Sequence, residues 1–298
     1  MLYAHIRSFF WAQDYLEVET PLVSRHASTE VHLDSLEVTS SHGHVGFLPT
    51  SPEYPMKRLL AAWKQPIFQI SKSFRAFEVG ARHNSEFTML EWYTPDQQLN
   101  ALAKQLCDLL SVLGVDTQAE HKSYAALFGA VDVDVFQDSI EELYSRAHAL
   151  KLSPPQGLDR LGLLDLIFSM CIEPSLGDEA PLFVTDFLPE QASLAALTTD
   201  QEGHRVAARF ELYYKGLELA NAFQELNDPD EQRARFEADN QTRKTLGKKP
   251  MPIDEHLLVA LEELPACCGI AVGLDRLLMC LHGHQSIQEV LTFDSENA

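Results

Sequence analysis

The chain has 298 residues, 23 Lys+Arg against 44 Asp+Glu, a formal net charge of −21, and 45% hydrophobic residues. That length and apolar fraction exclude a disordered chain and suit a large globular unit with a substantial core. The negative charge repels nucleic-acid phosphates at long range, and no run of basic residues offers a local exception, so tRNA is not an expected partner.

Cys107, Cys171, Cys267, Cys268 and Cys280 are odd in number and show no C-x-x-C spacing, which argues against a disulfide framework or a zinc site. The N-terminal stretch carries charges throughout and lacks the apolar core of a signal segment. No run is apolar enough to span a membrane. A reducing, cytoplasmic setting is therefore expected.

In chain order, an amphipathic helix is predicted from almost Met1 to about Tyr15, followed by an extended lead-in over 17–21. The alternation over 32–38 predicts a strand, 66–71 is a short apolar strand with Ile67, Phe68 and Ile70, and 87–93 is another. Leu99, Leu102, Leu106, Leu109, Leu110 and Leu113 fall on one stripe between Pro95 and Gly114, which predicts a helix over 97–113. Ser139 with Glu142 makes a capping box for a helix to about Leu150, and 158–172 gives a third. The section from roughly 96 to 177 thus reads as a mostly helical insertion.

Beyond it, 182–187 is a strand, and 209–214 with 217–223 form a hairpin around Lys215-Gly216. A polar, solvent-facing helix is predicted over 230–246, then a helix over 255–264, a strand over 267–273 and a helix over 274–281. Strands come in runs separated by helical blocks, without βαβ alternation. That pattern predicts an α+β fold with a largely antiparallel sheet.

Neither G-x-x-x-x-G-K-[ST] nor a G-x-G-x-x-G between strand and helix occurs, and H-E-x-x-H and G-x-S-x-G are absent. His42-Gly43-His44 is a loop tip before it is a metal site. In FRAFEVGARHNSEFTMLEWY, 74–93, Arg75 could meet phosphate oxygens and Phe87 could stack on a base, with His83 and Asn84 at the polar edge. Alone, the stretch reads as an arginine-bearing hairpin with an aromatic core face.

GIAVGLDRLLM, 269–279, turns through Gly273 into a helix with Asp275 and Arg276 in its first turn. Arginine at the positive helix end calls for an anion, either a ligand phosphate or a neighbouring carboxylate. Glu218 and Glu225 in GLELANAFQEL could together hold magnesium beside polyphosphate, but seven-residue spacing places them on opposite faces of a regular strand. A bend near Asn221-Ala222 would be needed; otherwise they are two exposed glutamates. In TSPEYPMKRLL, 50–60, Glu53 sits in the first turn of a helix, where it is either a capping charge or a group directed at a substrate amine.

Together and in this order, EVETP, FRAFE with RHNSEFTMLEWY, and GIAVGLDR resemble motifs 1, 2 and 3 of a class II lysyl-tRNA synthetase catalytic domain, over about 7–293. Motif 1 begins at the start of the chain, which leaves no room for an anticodon-binding barrel. Ala271 stands where synthetases usually carry glycine. Both features make the chain more similar to the elongation factor P β-lysine ligases, truncated synthetase paralogues. A single catalytic domain over 1–298 is the expectation.

The resemblance implies a ligase using ATP and Mg²⁺ to attach β-lysine or lysine to a lysine side chain of elongation factor P, working as a homodimer. It implies that Arg75 and Arg276 hold the phosphates and that Phe87 sandwiches adenine. Arg75-Ala76-Phe77 backbone, His83, Asn84, Leu219 and Gly273 would line the nucleotide, with Glu218 and Glu225 as magnesium ligands. Ser51, Pro52, Glu53, Glu91, Tyr93, Asn221, Phe223, Glu225 and Ala271 correspond to the amino-acid pocket. Phe77 departs from the family, which usually has glutamate there and here has Glu78 one place later; Ala222 replaces the usual glycine. The alternatives are an enzyme that releases a lysyl adenylate or charges tRNA, and a silent paralogue that binds ATP or an amino acid.

Overall fold

The computed structural model describes every residue except Met1, Asp116 and Glu296, so the predicted start of the first helix at Met1 lies outside the described residues. By its internal contacts the chain divides into two units, 1–115 with 222–298, and 116–221.

The first unit opens with helix α1 (Leu2–Trp11), which buries Ile6 and Phe10. A short strand β1 (Leu16–Glu17) follows, then a hairpin of β2 (Glu37–Ser40) and β3 (Gly43–Phe47). The strand predicted over 32–38 is real only at its last two residues. Its earlier backbone is committed elsewhere: the Leu33 carbonyl accepts from Arg243 and the Asp34 carbonyl from the Ala76 N–H. The pair His42 and His44 lies at the turn of this hairpin, with Gly43 at φ +108° supplying a backbone conformation that other residues avoid.

Helix α2 (Glu53–Trp63) leads into β4 (Ile67–Phe74), β5 (Glu86–Pro95) and helix α3 (Leu99–Val112). The leucine stripe of α3 is buried at Leu102, Leu106, Leu109 and Leu110, as its period requires.

The second unit contains strand β6 (Glu120–Ser123) and helices α4 (Tyr124–Gly129), α5 (Ile140–Ala149) and α6 (Arg160–Ile167), α6 continuing as one wider turn over Phe168–Ile172. Both halves of the Ser139–Glu142 capping box form. Strands β7 (Leu182–Phe187), β8 (Leu197–Thr199) and β9 (Arg205–Tyr214) follow; β7 is parallel to β6 and antiparallel to β9, and β8 pairs antiparallel with β9. Tyr124, Phe128, Phe168 and Phe187 gather in this unit's core. Thus α3 of the expected helical block packs in the first unit, while the second combines helices with strands.

Strand β10 (Leu217–Gln224) follows the Lys215-Gly216 turn, where both residues have positive φ, and carries the chain back to the first unit. It is continuous through Asn221 and Ala222. Helix α7 (Pro229–Thr245), α8 (Glu255–Leu261), β11 (Cys267–Gly273) and α9 (Leu274–His282) complete the first unit. Helix α7 is less solvent-facing than its polar sequence predicts: Phe236 is buried, and so is Arg243, whose guanidinium binds Asp34 and the carbonyls of Glu30, Leu33 and Lys249.

In the first unit β4 and β11 each pair antiparallel with β5, and β1 is parallel to β4. Because side chains alternate across a strand, Phe68, Ile70, Leu90, Trp92, Ile270 and Val272 share one face. Phe10 stacks on Phe68 at 4.7 Å and tilts on Trp92 at 5.1 Å. The register places Gln69 opposite Glu91, Ser71 opposite Met89, Ser73 opposite Phe87, and Gly269, Ala271 and Gly273 opposite Tyr93, Glu91 and Met89. Chemistry concentrates on that second face. Among the described residues no helix is long and apolar enough to cross a membrane.

Candidate active site

Helix α2 begins at this polar face. The Ser51 hydroxyl accepts from the Glu53 N–H at 3.0 Å and donates to Glu91 Oε1 at 2.7 Å, so the helix start and β5 are joined by one side chain. The Tyr93 hydroxyl donates to the other Glu91 oxygen at 3.1 Å. Glu91 is 1% exposed. Burial, with Glu53 adding like charge, pushes its carboxyl up to about 8 against the opposing hydrogen bonds of Ser51 and Tyr93. Burial likewise raises the Tyr93 hydroxyl, and Glu91 adds to that effect.

Two further carboxylates meet a cation beside them. Lys57 Nζ lies 2.6 Å from Glu53 Oε1 and 2.6 Å from Glu225 Oε2, with the lysine and Glu225 side chains each 1% exposed. Burial lowers the lysine, but Glu225 and Glu53 outweigh it and hold the ammonium above its ordinary value. Burial raises Glu225, with Lys57 opposing. Glu225 follows β10 directly, and its N–H donates to the Cys267 carbonyl at 3.0 Å, which fixes it against β11. Ser51, Pro52, Glu53, Glu91, Tyr93, Glu225 and Ala271 are thus brought to one region of the first unit. Such a set suits an ammonium, which leaves water readily only when carboxylates receive it.

At the other end of β4 the chain turns through Arg75, Ala76 and Phe77. The Arg75 guanidinium lies over the Phe87 ring at 5.1 Å, and its Nη1 is 3.8 Å from Glu78 Oε2. Its Nε is buried without a hydrogen-bond partner among the described residues. One face of Phe87 is therefore covered by arginine. Phe77 is 91% exposed at φ +64°.

Arg276, in the first turn of α9, does not stand alone at the helix end. Its Nε donates to the Arg82 carbonyl at 3.3 Å and its Nη2 is 2.5 Å from His83 Nε2. Asp275, its neighbour, accepts from the Thr88 N–H at 2.6 Å and ties α9 to β5. Asn84 is buried, with its amide donating to the Glu86 carbonyl and accepting from the Ser295 N–H; it orders the loop that carries His83. Gly273 forms the N-terminal cap position of α9.

Glu218, Leu219, Asn221 and Phe223 lie on β10, with Leu219 buried and the others half-buried. Within the second unit Glu211 is pushed up to about 7 by burial; Arg209 opposes this and Glu218 adds to it. The Tyr213 hydroxyl donates to Glu211 at 2.6 Å. Glu218 adds its charge to Glu211 in the second unit, while Glu225 meets Lys57 in the first; carboxylate oxygens of this kind suit a hard cation such as magnesium. No group of three or more His, Cys, Asp or Glu side chains suited to a metal occurs among the described residues.

Lys57, Gly269 and the polar row of β4 escape the motif reading. The i,i+4 spacing of Glu53 and Lys57 is the sequence signal for the first. For the last, Gln69, Ser71 and Ser73 alternate with apolar residues in a strand read as simply apolar, and their Oε1 and hydroxyl oxygens are buried without a hydrogen-bond partner among the described residues.

Residues 1–297 match the family model described as tRNA synthetases class II (D, K and N). The chain is 45% identical over 304 residues to a Klebsiella pneumoniae (strain 342) protein named elongation factor P–(R)-β-lysine ligase, a match covering 99% of this chain and 93% of the relative. A Pasteurella multocida (strain Pm70) protein of the same name is 45% identical over 302 residues, with the same coverage of both chains. The three ordered motifs, the antiparallel sheet that carries them and these matches agree: the chain belongs to the class II tRNA synthetase family of the D, K and N type.

Proposed function

We propose that this protein activates (R)-β-lysine with ATP and joins it to a lysine side chain of elongation factor P. The observation that carries the reading is the carboxylate set of half-buried Glu53 at the start of α2 with buried Glu91 and Glu225, gathered around Lys57 and the polar face of β5, in a class II chain whose relatives are named for this ligation.

The chemistry proceeds in two displacements. The amino-acid carboxylate attacks the α-phosphorus of ATP and expels pyrophosphate, giving an aminoacyl adenylate. The neutral amine of the acceptor lysine then attacks the acyl carbon, AMP leaves with the bonding pair, and the amine loses its proton. No enzyme nucleophile is consumed. The protein contributes alignment and fixed charge: Arg75 and Arg276 face phosphate oxygens, Phe87 stacks on adenine, and the Ala76 and Phe77 backbone, His83, Asn84, Leu219 and Gly273 line the nucleotide. Ser51, Pro52, Asn221, Phe223 and Ala271 shape the pocket in which Glu53, Glu91 and Glu225 receive ammonium. Mg²⁺, held by Glu218 and Glu225, would offset phosphate charge when bound.

A homodimer fits the exposed apolar side chains of the N-terminal segment, Tyr3, Trp11, Leu16, Leu22 and Val23, which lie in or next to the motif 1 region. Reduced cytoplasm is the setting that suits its free cysteines. Intact-mass measurement of elongation factor P after incubation with the enzyme, ATP and (R)-β-lysine tests the proposal. A gain of one β-lysyl group with stoichiometric AMP supports it; an unmodified acceptor alongside turnover of ATP would refute it.

A further inference from the structure

Lys57 is an unexpected resident of a pocket meant to receive an ammonium. Its own ammonium is already there, enclosed, between an oxygen of Glu53 and an oxygen of Glu225 at 2.6 Å each. An i,i+4 Glu–Lys pair on a helix is ordinarily a solvated surface contact that contributes little. Here the lysine is 1% exposed and reaches past its own helix to a second carboxylate beyond β10. Stripping water from lysine is tolerated only with such partners. A resident cation would compete with the substrate's, unless its task is to hold the carboxylates in place for it.

The charge count favours that task. Once a bound cation has displaced the Glu91 proton, Glu53, Glu91 and Glu225 supply three carboxylate charges, and Lys57 answers one, leaving two. We infer that Lys57 is a positioning residue, which locks Glu53 of α2 to Glu225 at the sheet edge so that the remaining carboxylate charge matches a substrate with two ammonium groups. The inference rests on the proposed activation of a diamino acid.

Amino-acid-dependent ATP–pyrophosphate exchange by the full chain tests it, with (R)-β-lysine and with 3-aminohexanoic acid, which lacks the distal amine. Absence of exchange with the diamino acid in the unsubstituted protein would overturn the functional reading and this inference together. With exchange established, Lys57→Met is expected to raise the diamino-acid KM about 100-fold, equivalent to about 2.7 kcal/mol, and to reduce the preference for the diamino over the monoamino acid. Lys57→Arg keeps the charge in a wider fork and is expected to raise that KM about tenfold. The KM for ATP should stay within about twofold in both, which a general loss of structure would not allow. An unchanged amino-acid KM in either folded variant, or an equal rise for ATP, overturns the inference while leaving the functional reading standing. Failure of both variants to fold would assign Lys57 to the scaffold alone and overturn it as well.

Discussion

Gly269 stands directly across from Tyr93 in the register of β11 and β5, and a Cβ on it would come within 2.3 Å of the tyrosine Cε1 and 2.4 Å of Glu225 Oε1. Neither neighbour can retreat freely, because Tyr93 holds Glu91 and Glu225 meets Lys57. Gly269→Ala is therefore predicted to destabilise the protein by about 1–3 kcal/mol and to raise the amino-acid KM. Thermal melting and exchange kinetics check both effects; an unaltered variant would show that the pocket floor has room to spare.

Arg75 and Arg276 approach the proposed nucleotide site from different elements, one after β4 and one at the start of α9. A cation about 4 Å from a phosphate charge contributes on the order of 4 kcal/mol at an effective dielectric near 20, before desolvation is subtracted. Arg75→Ala or Arg276→Ala should accordingly lower pyrophosphate exchange by about a thousandfold. His83→Ala, which removes a partner of Arg276 and not the cation itself, should lower it less. Near-normal exchange in either arginine variant would refute the assignment.

Glu91 provides the pH dependence. Its carboxyl is raised from 4.5 to about 8, so the folded protein retains a proton that the unfolded chain gives up. Its contribution to stability is thus fully present below 4.5 and is lost as pH rises through about 8. Melting temperature should show this fall, and Glu91→Gln should flatten it. Binding of a substrate ammonium displaces the same proton, so affinity should increase as pH climbs toward 8. Calorimetry in buffers of different ionisation enthalpy should find close to one proton released at neutral pH; no proton release would place the ammonium elsewhere.

Phe77 has the opposite character. Its side chain is 91% exposed, and its φ of +64° is one that favours glycine. Phe77→Ala should leave the KM for ATP within about twofold. Phe77→Gly should raise stability by about 0.5–1 kcal/mol through relief of the left-handed strain, offset in part by glycine's greater unfolded entropy. A melt that falls in the glycine variant would contradict the strain argument.

Much of this architecture was legible because local signals and tertiary demands coincide. The α3 leucine stripe, the Ser139 capping box and the Lys215-Gly216 turn each determine their element through contacts a few residues apart. The segment 32–38 misled because alternation predicts a strand only when the backbone is free to pair, and there Arg243, more than two hundred residues away, and the Ala76 N–H take up the Leu33 and Asp34 carbonyls. Helix α7 misled for the same reason, since its most buried charge faces that loop.

At the site, motif resemblance identified residue types but not their partners. Glu53 and Glu91 were marked by the resemblance; the sequence does not reveal that Ser51 links them or that Lys57 sits between Glu53 and Glu225, because those contacts join a helix start, a central strand and the residue after β10. The arginine at the start of α9 did call for an anion, yet a carbonyl and an imidazole also receive it, from a loop that Asn84 holds through long-range bonds.

The most direct test of the central claim offers the purified protein ATP and labelled (R)-β-lysine, with tRNA and elongation factor P present together as competing acceptors. The label is predicted to appear on a lysine of elongation factor P and to survive mild alkali, as an amide does and an aminoacyl ester does not. Label recovered on tRNA, or only as free adenylate, would contradict the account.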